Sequence, residues 1–215
     1  MRLAVFDLDG TLTRHDTLVP YLLGFLRRHP GRLWRLVFVP PAVAVFLLDG
    51  GDRGRLKSAL LRRILGGVPR AQLDSWTEQF VADVVASGLC PGGTRRLAAH
   101  RSAGDHLVLL SASPDIYVPQ IARRLGFAEA VCTGVRWDGE RLEGSLTTEN
   151  RRGEEKLRCI EALRRAHPGL ACSAYGNSAS DLPHLRVVEH GVFVNGGTGG
   201  RRAAAALGLP CERWC

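Results

Sequence analysis

One pattern constrains this chain more than any other. Short apolar runs stop abruptly at small, oxygen-bearing residues, and the pattern occurs four times. The run LAVF, residues Leu3–Phe6, meets Asp7, Leu8, Asp9, Gly10 and Thr11. HLVLL at 106–110 meets SASPD, LACSAY at 170–175 meets GNSASD, and GVFV at 191–194 meets NGG. Such runs are too short for buried helices and fit strands buried on both faces of a parallel sheet. Helix-like segments lie between them, at 92–103, 114–125, 154–167 and 180–188. Strand–helix alternation predicts an α/β fold, a Rossmann-like doubly wound parallel sheet. In such sheets ligands bind outside the carboxyl ends of the strands. The first three strand ends would converge there.

Residues 15–90 break the alternation. They contain no strand ending in acids and read as helices at 17–28, 33–48, 53–65 and 70–87, with breaks at 49–52 and 66–69. The pattern predicts a core of residues 1–14 and 91–215 with an inserted α-helical cap at 15–90. Asp138-Gly139 between strand-like runs predicts a small antiparallel hairpin within 131–147. The most apolar stretch, LWRLVFVPPAVAVFLL at 33–48, is interrupted by Arg35 and Pro40-Pro41. The bland reading is a kinked pair of helical segments packed inside the cap. The sharper one is a surface for peripheral contact with a membrane.

Composition narrows the partners. With 45% hydrophobic and 23% charged residues in 215, the chain has ample material for a core. The net charge of +8 admits anionic ligands, but its arginines are scattered pairs without interleaved aromatics, so nucleic acid is not expected. Lysine occurs only as Lys57 and Lys156, which suggests that these two sites need a compact ammonium. The six cysteines form no CxxC or zinc spacing and read as reduced, mostly buried thiols. With no hydrophobic leader before Asp7, this points to a cytoplasmic protein, with the inner membrane face as the peripheral alternative. Nothing in the sequence sets the oligomeric state.

Asp7 and Asp9 carry the chemistry. Two residues apart on extended chain, their side chains leave the same face. Such a pair needs a cation, a shared proton or a division of roles, and one can act as nucleophile and the other as general acid and base. Gly10 permits a tight turn and Thr11 adds a hydroxyl. The seven histidines show no HxH or HExxH spacing, so a histidine-based metal site is not expected. Ser178 lacks the Gly-x-Ser-x-Gly context of a hydrolase elbow. Asn195-Gly196-Gly197 reads as a turn.

FDLDGTLT resembles the first motif of the haloacid dehalogenase superfamily. LLSAS, with Ser111, resembles the second motif; GEEK, with Lys156, the third; and YGNSASDLPHL the fourth. They occur in order over nearly the whole chain, and a helical cap between the first two resembles the phosphoserine phosphatase branch. The resemblance implies a Mg²⁺-dependent phosphomonoester hydrolase. Asp7 would be the nucleophile that forms an aspartyl-phosphate and Asp9 the general acid and base. Thr11, Ser111, Ala112 and Lys156 would hold phosphate, with Lys156 also neutralising charge during catalysis. Mg²⁺ would take oxygens from Asp7, Asp9, Asn177 and Asp181.

One departure matters: the family commonly has Asp where this chain has Asn177, which lowers the charge offered to the metal. Asp16 stands at the spacing of a substrate-binding acid, and it is also placed to cap the next helix. Arg53, Arg55 and Lys57 are candidate anion contacts in the cap, or solvated helix residues. Phosphoserine is the simplest substrate. The apolar cap, the GEEK segment and the hairpin before it also resemble a phosphatidylglycerophosphate phosphatase branch, whose cap would touch the membrane. A rival of another class is a non-catalytic phospholigand or nucleic-acid binder on a degenerate version of the fold.

Overall fold

The computed structural model describes residues 1–48 and 50–215; of the expected break at 49–52, Asp49 lies outside them. Strand β1 (Leu3–Phe6) is buried at all four positions. It is flanked by parallel partners β2 (His106–Pro114) and β6 (Cys172–Gly176), in register Phe6 with Leu109 and Tyr175. A central parallel strand has no solvent face, which is why LAVF carries no polar side chain. Alternation sends its side chains two ways. Ala4 and Phe6 join the core shared with the cap, while Leu3 and Val5 pack with Ile160, Leu163, Leu182 and Leu185 on the other face.

Among the described residues the sheet has six strands rather than four. Beyond β2 lies β3 (Glu129–Thr133), and beyond β6 lie β7 (His190–Val194) and β8 (Cys211–Glu212). β3 ends inside 131–147, the segment where the sequence suggests only a hairpin. The hairpin itself is β4 (Val135–Asp138) with β5 (Arg141–Leu146), and it leaves the main sheet.

The chain leaves the core after Thr13 and returns at Cys90. The two passages lie side by side: Arg14 N donates to Gly88 O at 2.9 Å and Cys90 N to Leu12 O at 2.8 Å. Between them run α1 (Leu18–Arg28), a 3₁₀ segment (Pro30–Phe38), α2 (Val39–Leu48), α3 (Arg53–Leu65) and α4 (Arg70–Asp83). Asp52 starts α3 by accepting from Gly54 N and Arg55 N at 2.8 and 3.1 Å, an N-cap worth about 1 kcal/mol. The hairpin leans on α3. Gly144 has φ +95°, and a Cβ there would stand 2.7 Å from Arg62 N, so only glycine allows this approach. Tyr21, Phe25, Leu61 and Leu65 belong to the same buried cluster as Phe6 and Tyr117, so cap and core share one interior. The remaining helices, α5 (Pro91–Ser102), α6 (Val118–Arg124), α7 (Glu154–Ala166), α8 (Leu182–Arg186) and α9 (Thr198–Ala206), belong to the core.

Two expectations are corrected here. The apolar stretch 33–48 is not packed inside the cap: the 3₁₀ segment buries none of its residues and α2 buries only Ala42. The cysteines are not all reduced thiols, because Cys90 and Cys215 form a disulfide across 125 residues. The chain end is brought there by Asn195, whose Oδ1 accepts from Trp214 N at 2.7 Å and Cys215 N at 3.2 Å. Of the other four, Cys159 and Cys172 are buried, Cys132 is half-buried and Cys211 is exposed.

Candidate active site

The loop after β1 sets the site. Asp7 N donates to Tyr175 O, which continues the sheet ladder as far as Asp7. Gly10 then turns the chain at φ +74°. A Cβ on Gly10 would meet Asn177 Nδ2 at 2.0 Å, so glycine also lets the fourth-motif loop close on the first. Asn195 completes the clamp. Its Nδ2 donates to Gly10 O at 3.0 Å, and it adopts φ +56°, the left-handed region that asparagine tolerates better than most residues.

Asp7 is buried and held from two sides. Thr11 Oγ1 donates to its Oδ2 at 2.8 Å, and Lys156 Nζ to its Oδ1 at 2.6 Å. Lys156, from the first turn of α7, donates also to Asp181 Oδ1 at 2.8 Å, so one ammonium joins two carboxylates. Asp181 Oδ2 in turn accepts from Ser178 Oγ at 2.8 Å and from the backbone N–H groups of Ser178 and Asn177 at 2.9 and 3.1 Å. Both of its oxygens are engaged in holding Lys156 and the loop.

Burial pushes the Asp7 carboxyl up to about 6; Lys156 opposes this, while Asp181 and Asp9 reinforce it. Burial alone would lower Lys156, but the two carboxylates outweigh it and hold the ammonium charged. Burial would likewise raise Asp181, yet Lys156 keeps it well below the usual carboxylate range. Next to this triad, His184 is pushed down to about 3 by burial and by Lys156, so it is neutral.

Asp9 faces the cap rather than Asp7. Its Oδ1 accepts from Thr17 Oγ1 at 2.6 Å and Thr17 N at 2.8 Å, and its Oδ2 from Ser113 Oγ at 2.6 Å. Burial raises its pKa, helped by Asp16, against the hydrogen bonds from Ser113 and Thr17. Because Thr17 immediately precedes α1, the Asp9 carboxylate also pins the cap's first helix over the strand ends.

A cleft of about 290 Å³ opens over these groups, lined by Asp7, Asp9, Lys156, Asn177 and Asp181 on the core side. Asp16, Arg53 and Lys57 line it as well, together with Leu18, Val19, Leu56 and Leu60 of the cap. Asp16 Oδ1 also accepts from Leu18 N at 2.9 Å, so the cap and pocket readings hold together. Lys57 is buried; it donates to Ala112 O and, at 2.5 Å, to Asn150 Oδ1, bridging cap and core. Burial pushes it down to about 8. Arg55 is exposed and pairs with Asp52 at 3.4 Å, outside the cleft lining.

Ala112 lines the cleft, whereas Thr11 and Ser111 are fully buried beneath it. Ser111 Oγ accepts from Ser113 N at 3.0 Å.

Sequence reasoning missed Ser113, Asn150, Arg152 and Asn195. Arg152 lines the cleft, and its partial burial and neighbour Arg53 lower its pKa. The one available signal is position: Arg152 stands four residues before Lys156, in one of the scattered arginine pairs. A histidine cluster also escaped spacing rules, because His106, Glu129 and His167 come from β2, β3 and the end of α7. Their ligating atoms lie within 4.8 Å of one another. Glu129 Oε1 accepts from both rings, at 2.5 and 2.8 Å, which satisfies the group without an ion.

The donors around the cleft suit a hard cation. Asp7, Asn177 and the backbone between them offer oxygen, with no sulfur or imidazole, which is the chemistry of Mg²⁺ rather than zinc. No described side chain hydrogen bonds the Asn177 amide; its nitrogen is the end nearer Gly10, which leaves the oxygen for a ligand.

Residues 4–186 match the family model of haloacid dehalogenase-like hydrolases. The chain belongs to that family. It is 30% identical to protein CicA of Caulobacter vibrioides over 190 residues, covering 87% of this chain and 83% of that one. It is also 30% identical over 213 residues to a probable phosphatase of Mycobacterium tuberculosis, covering 96% and 73%. A crystal structure from Bordetella pertussis Tohama I, described as having unknown function, superposes with a TM-score of 0.82 at 25% identity, over 98% and 97% of the two chains. A phospho-aspartyl intermediate analogue of phosphoserine phosphatase shares the fold, with a TM-score of 0.65 at 15% identity over 100% and 93%. The chain is thus a phosphatase-type hydrolase of that family.

Proposed function

We propose that this chain hydrolyses phosphomonoesters through an aspartyl-phosphate on Asp7, with Mg²⁺ as cofactor. The observation that carries the reading is the single ammonium of Lys156 between Asp7 and Asp181 on the cleft floor. Phosphoryl transfer asks for positioning and charge neutralisation more than for elaborate covalent machinery. Thr11 and Lys156 each fix one oxygen of Asp7, which limits the carboxylate to one orientation toward the cleft.

In the first half-reaction a carboxylate oxygen of Asp7 attacks phosphorus and the bond to the leaving alcohol breaks. Asp9 gives that alcohol a proton, which its raised pKa favours. In the second half-reaction Asp9 takes a proton from water as the water attacks the phosphoryl group and releases Asp7. The backbone N–H of Ala112 and the Lys156 ammonium hold phosphoryl oxygens. Ser111 acts from beneath, by fixing Ser113 and through it Asp9. Asp7, the Asp9 carbonyl and Asn177 would hold the cation, which would offset phosphoryl charge. Asp181 would support it through Lys156 and the loop backbone.

The cleft suits a small phosphomonoester such as phosphoserine. Asp16 would face an amino group, and Arg53, Lys57 and Arg152 a carboxylate. The exposed apolar stretch favours a second reading, a phosphorylated glycerolipid whose glycerol end meets Leu18, Val19, Leu56 and Leu60. Phosphate release from phosphoserine, compared with release from phosphatidylglycerophosphate in detergent, separates the two. The chemistry itself is tested with an aryl phosphate: Asp7→Asn should lose at least about a thousand-fold in turnover while keeping its unfolding midpoint. Unchanged turnover would exclude Asp7 as the nucleophile.

A further inference from the structure

The segment Pro30–Leu48 combines the highest apolar content of the chain with almost no burial. Its most apolar 18-residue window has a mean hydropathy of 1.5, and 6% of that window is buried. Trp34, Val37 and Leu48 are 61%, 66% and 88% exposed. A helix of a soluble protein ordinarily turns its apolar stripe inward. Here the polarity is reversed. Arg32 Nη2 and Arg35 Nη1 point inward and donate to Gly66 O, each at 2.8 Å, and Arg35 also reaches Arg63 O at 3.2 Å. Arg63 Nη1 answers by donating to Phe38 O. The segment is therefore fastened through its arginines to carbonyls at the end of α3, where a helix presents its negative pole. Its aromatic and aliphatic side chains are left outward.

We propose that this face docks on the surface of an anionic phospholipid bilayer. Charge selects that occupant. Arg27 and Arg28 are exposed in the last turn of α1, immediately before the apolar segment. Exposed apolar residues beside basic ones are the composition of an interfacial anchor, which gains from acyl-chain burial and from anionic headgroups together. The reversed polarity argues for lying on the bilayer rather than crossing it. A crossing would have to tear Arg32 and Arg35 from Gly66 and place them in hydrocarbon.

The docked face is coupled to the cleft through one helix. Leu56 of α3 lines the cleft and also the seam between α3 and α2, which Ala42 and Phe46 line too. A bilayer held by α2 and the 3₁₀ segment would lie one helix away from Lys57 and Arg53. The proposal stands on the exposed surface and its charge, and is independent of the reaction assigned above.

The test is co-sedimentation of the full chain with vesicles of phosphatidylcholine and phosphatidylglycerol, against vesicles of phosphatidylcholine alone. The protein should pellet with the anionic vesicles, pellet far less with the neutral ones, and be released by concentrated salt. Trp34→Glu with Phe38→Glu should lose at least about ten-fold in partitioning at an unchanged unfolding midpoint, and Arg27→Glu with Arg28→Glu should remove the preference for anionic lipid. Failure to pellet with either vesicle, or pelleting unchanged by the Trp34/Phe38 pair, would overturn the proposal. So would retention that only detergent reverses, which means a spanning segment. Light scattering that shows a dimer dissolved by the same pair, without vesicle binding, would assign the face to a second copy.

Discussion

The floor of the cleft and the outer face of the cap break opposite rules. The floor buries three charges, Asp7, Lys156 and Asp181, at 6%, 3% and 2% exposure. Pro30–Leu48 leaves Trp34, Val37, Leu47 and Leu48 in the open. Singly exposed apolar residues are ordinary; buried charges and contiguous apolar surface are not. Each feature costs stability in the isolated chain. On the floor the cost is offset by mutual pairing, because each charge has its partner inside the protein. On the cap face nothing within the described residues offsets it, and the bilayer proposed above would do so from outside. The two regions thus point to internal chemistry in one case and to an external surface in the other.

The largest effect that sharpens this contrast is expected at the floor. Lys156→Met leaves Asp7 and Asp181 facing each other without a counter-charge, and should destabilise by about 3–5 kcal/mol in denaturant unfolding. A change below about 1 kcal/mol would mean that the triad is solvated and the contrast false. Next comes Asn177→Asp, which adds a charge to the same oxygen cluster. It should tighten Mg²⁺ about ten-fold in titration calorimetry, and lower stability in metal-free buffer through repulsion with Asp7. Unchanged affinity would remove Asn177 from the ligand set.

Lys57 lies on α3, between the two regions, and carries a pH signature. Burial lowers it to about 8, whereas an unfolded lysine titrates at 10.5. Between those values the unfolded chain binds more protons, so this group's contribution to stability rises as pH rises through the window. Lys57→Met should flatten that rise in unfolding midpoints measured from pH 8 to 10.5. A wild-type profile already flat there would place Lys57 in solvent. The smallest effect belongs to the cap face, where Trp34→Glu with Phe38→Glu should change stability by no more than about 0.5 kcal/mol. A loss of several kcal/mol would show that the face is packed after all.

The same contrast explains what could be read in advance. β1, β2, β6 and β7 were legible because each is an apolar run ending at oxygen-bearing residues. β3 was not, because Glu129–Thr133 is a half-buried strand with mixed side chains, and β8 is a two-residue pairing. Asp7, Asp9 and Lys156 announced themselves by residue type and motif. Ser113 and Asn195 did not, because their partners are 104 and 185 residues away and a serine or a turn asparagine is common everywhere. The disulfide was hidden for the same reason: only the folded chain brings Cys215 back to Cys90. The apolar stretch was misplaced because hydropathy records what a side chain avoids and not which way it faces. The deciding contacts, Arg32 and Arg35 on the Gly66 carbonyl, leave no trace in that pattern.

The central claim is that Asp7 carries the phosphoryl group during turnover. The direct measurement is acid quenching of the enzyme with a phosphomonoester and Mg²⁺, followed by peptide mass spectrometry. The account predicts a phosphoryl group on the peptide holding Asp7 and none on the same peptide from Asp7→Asn. A phosphoryl group on Ser111, Ser113 or any other residue, or turnover that persists in Asp7→Asn, would contradict it.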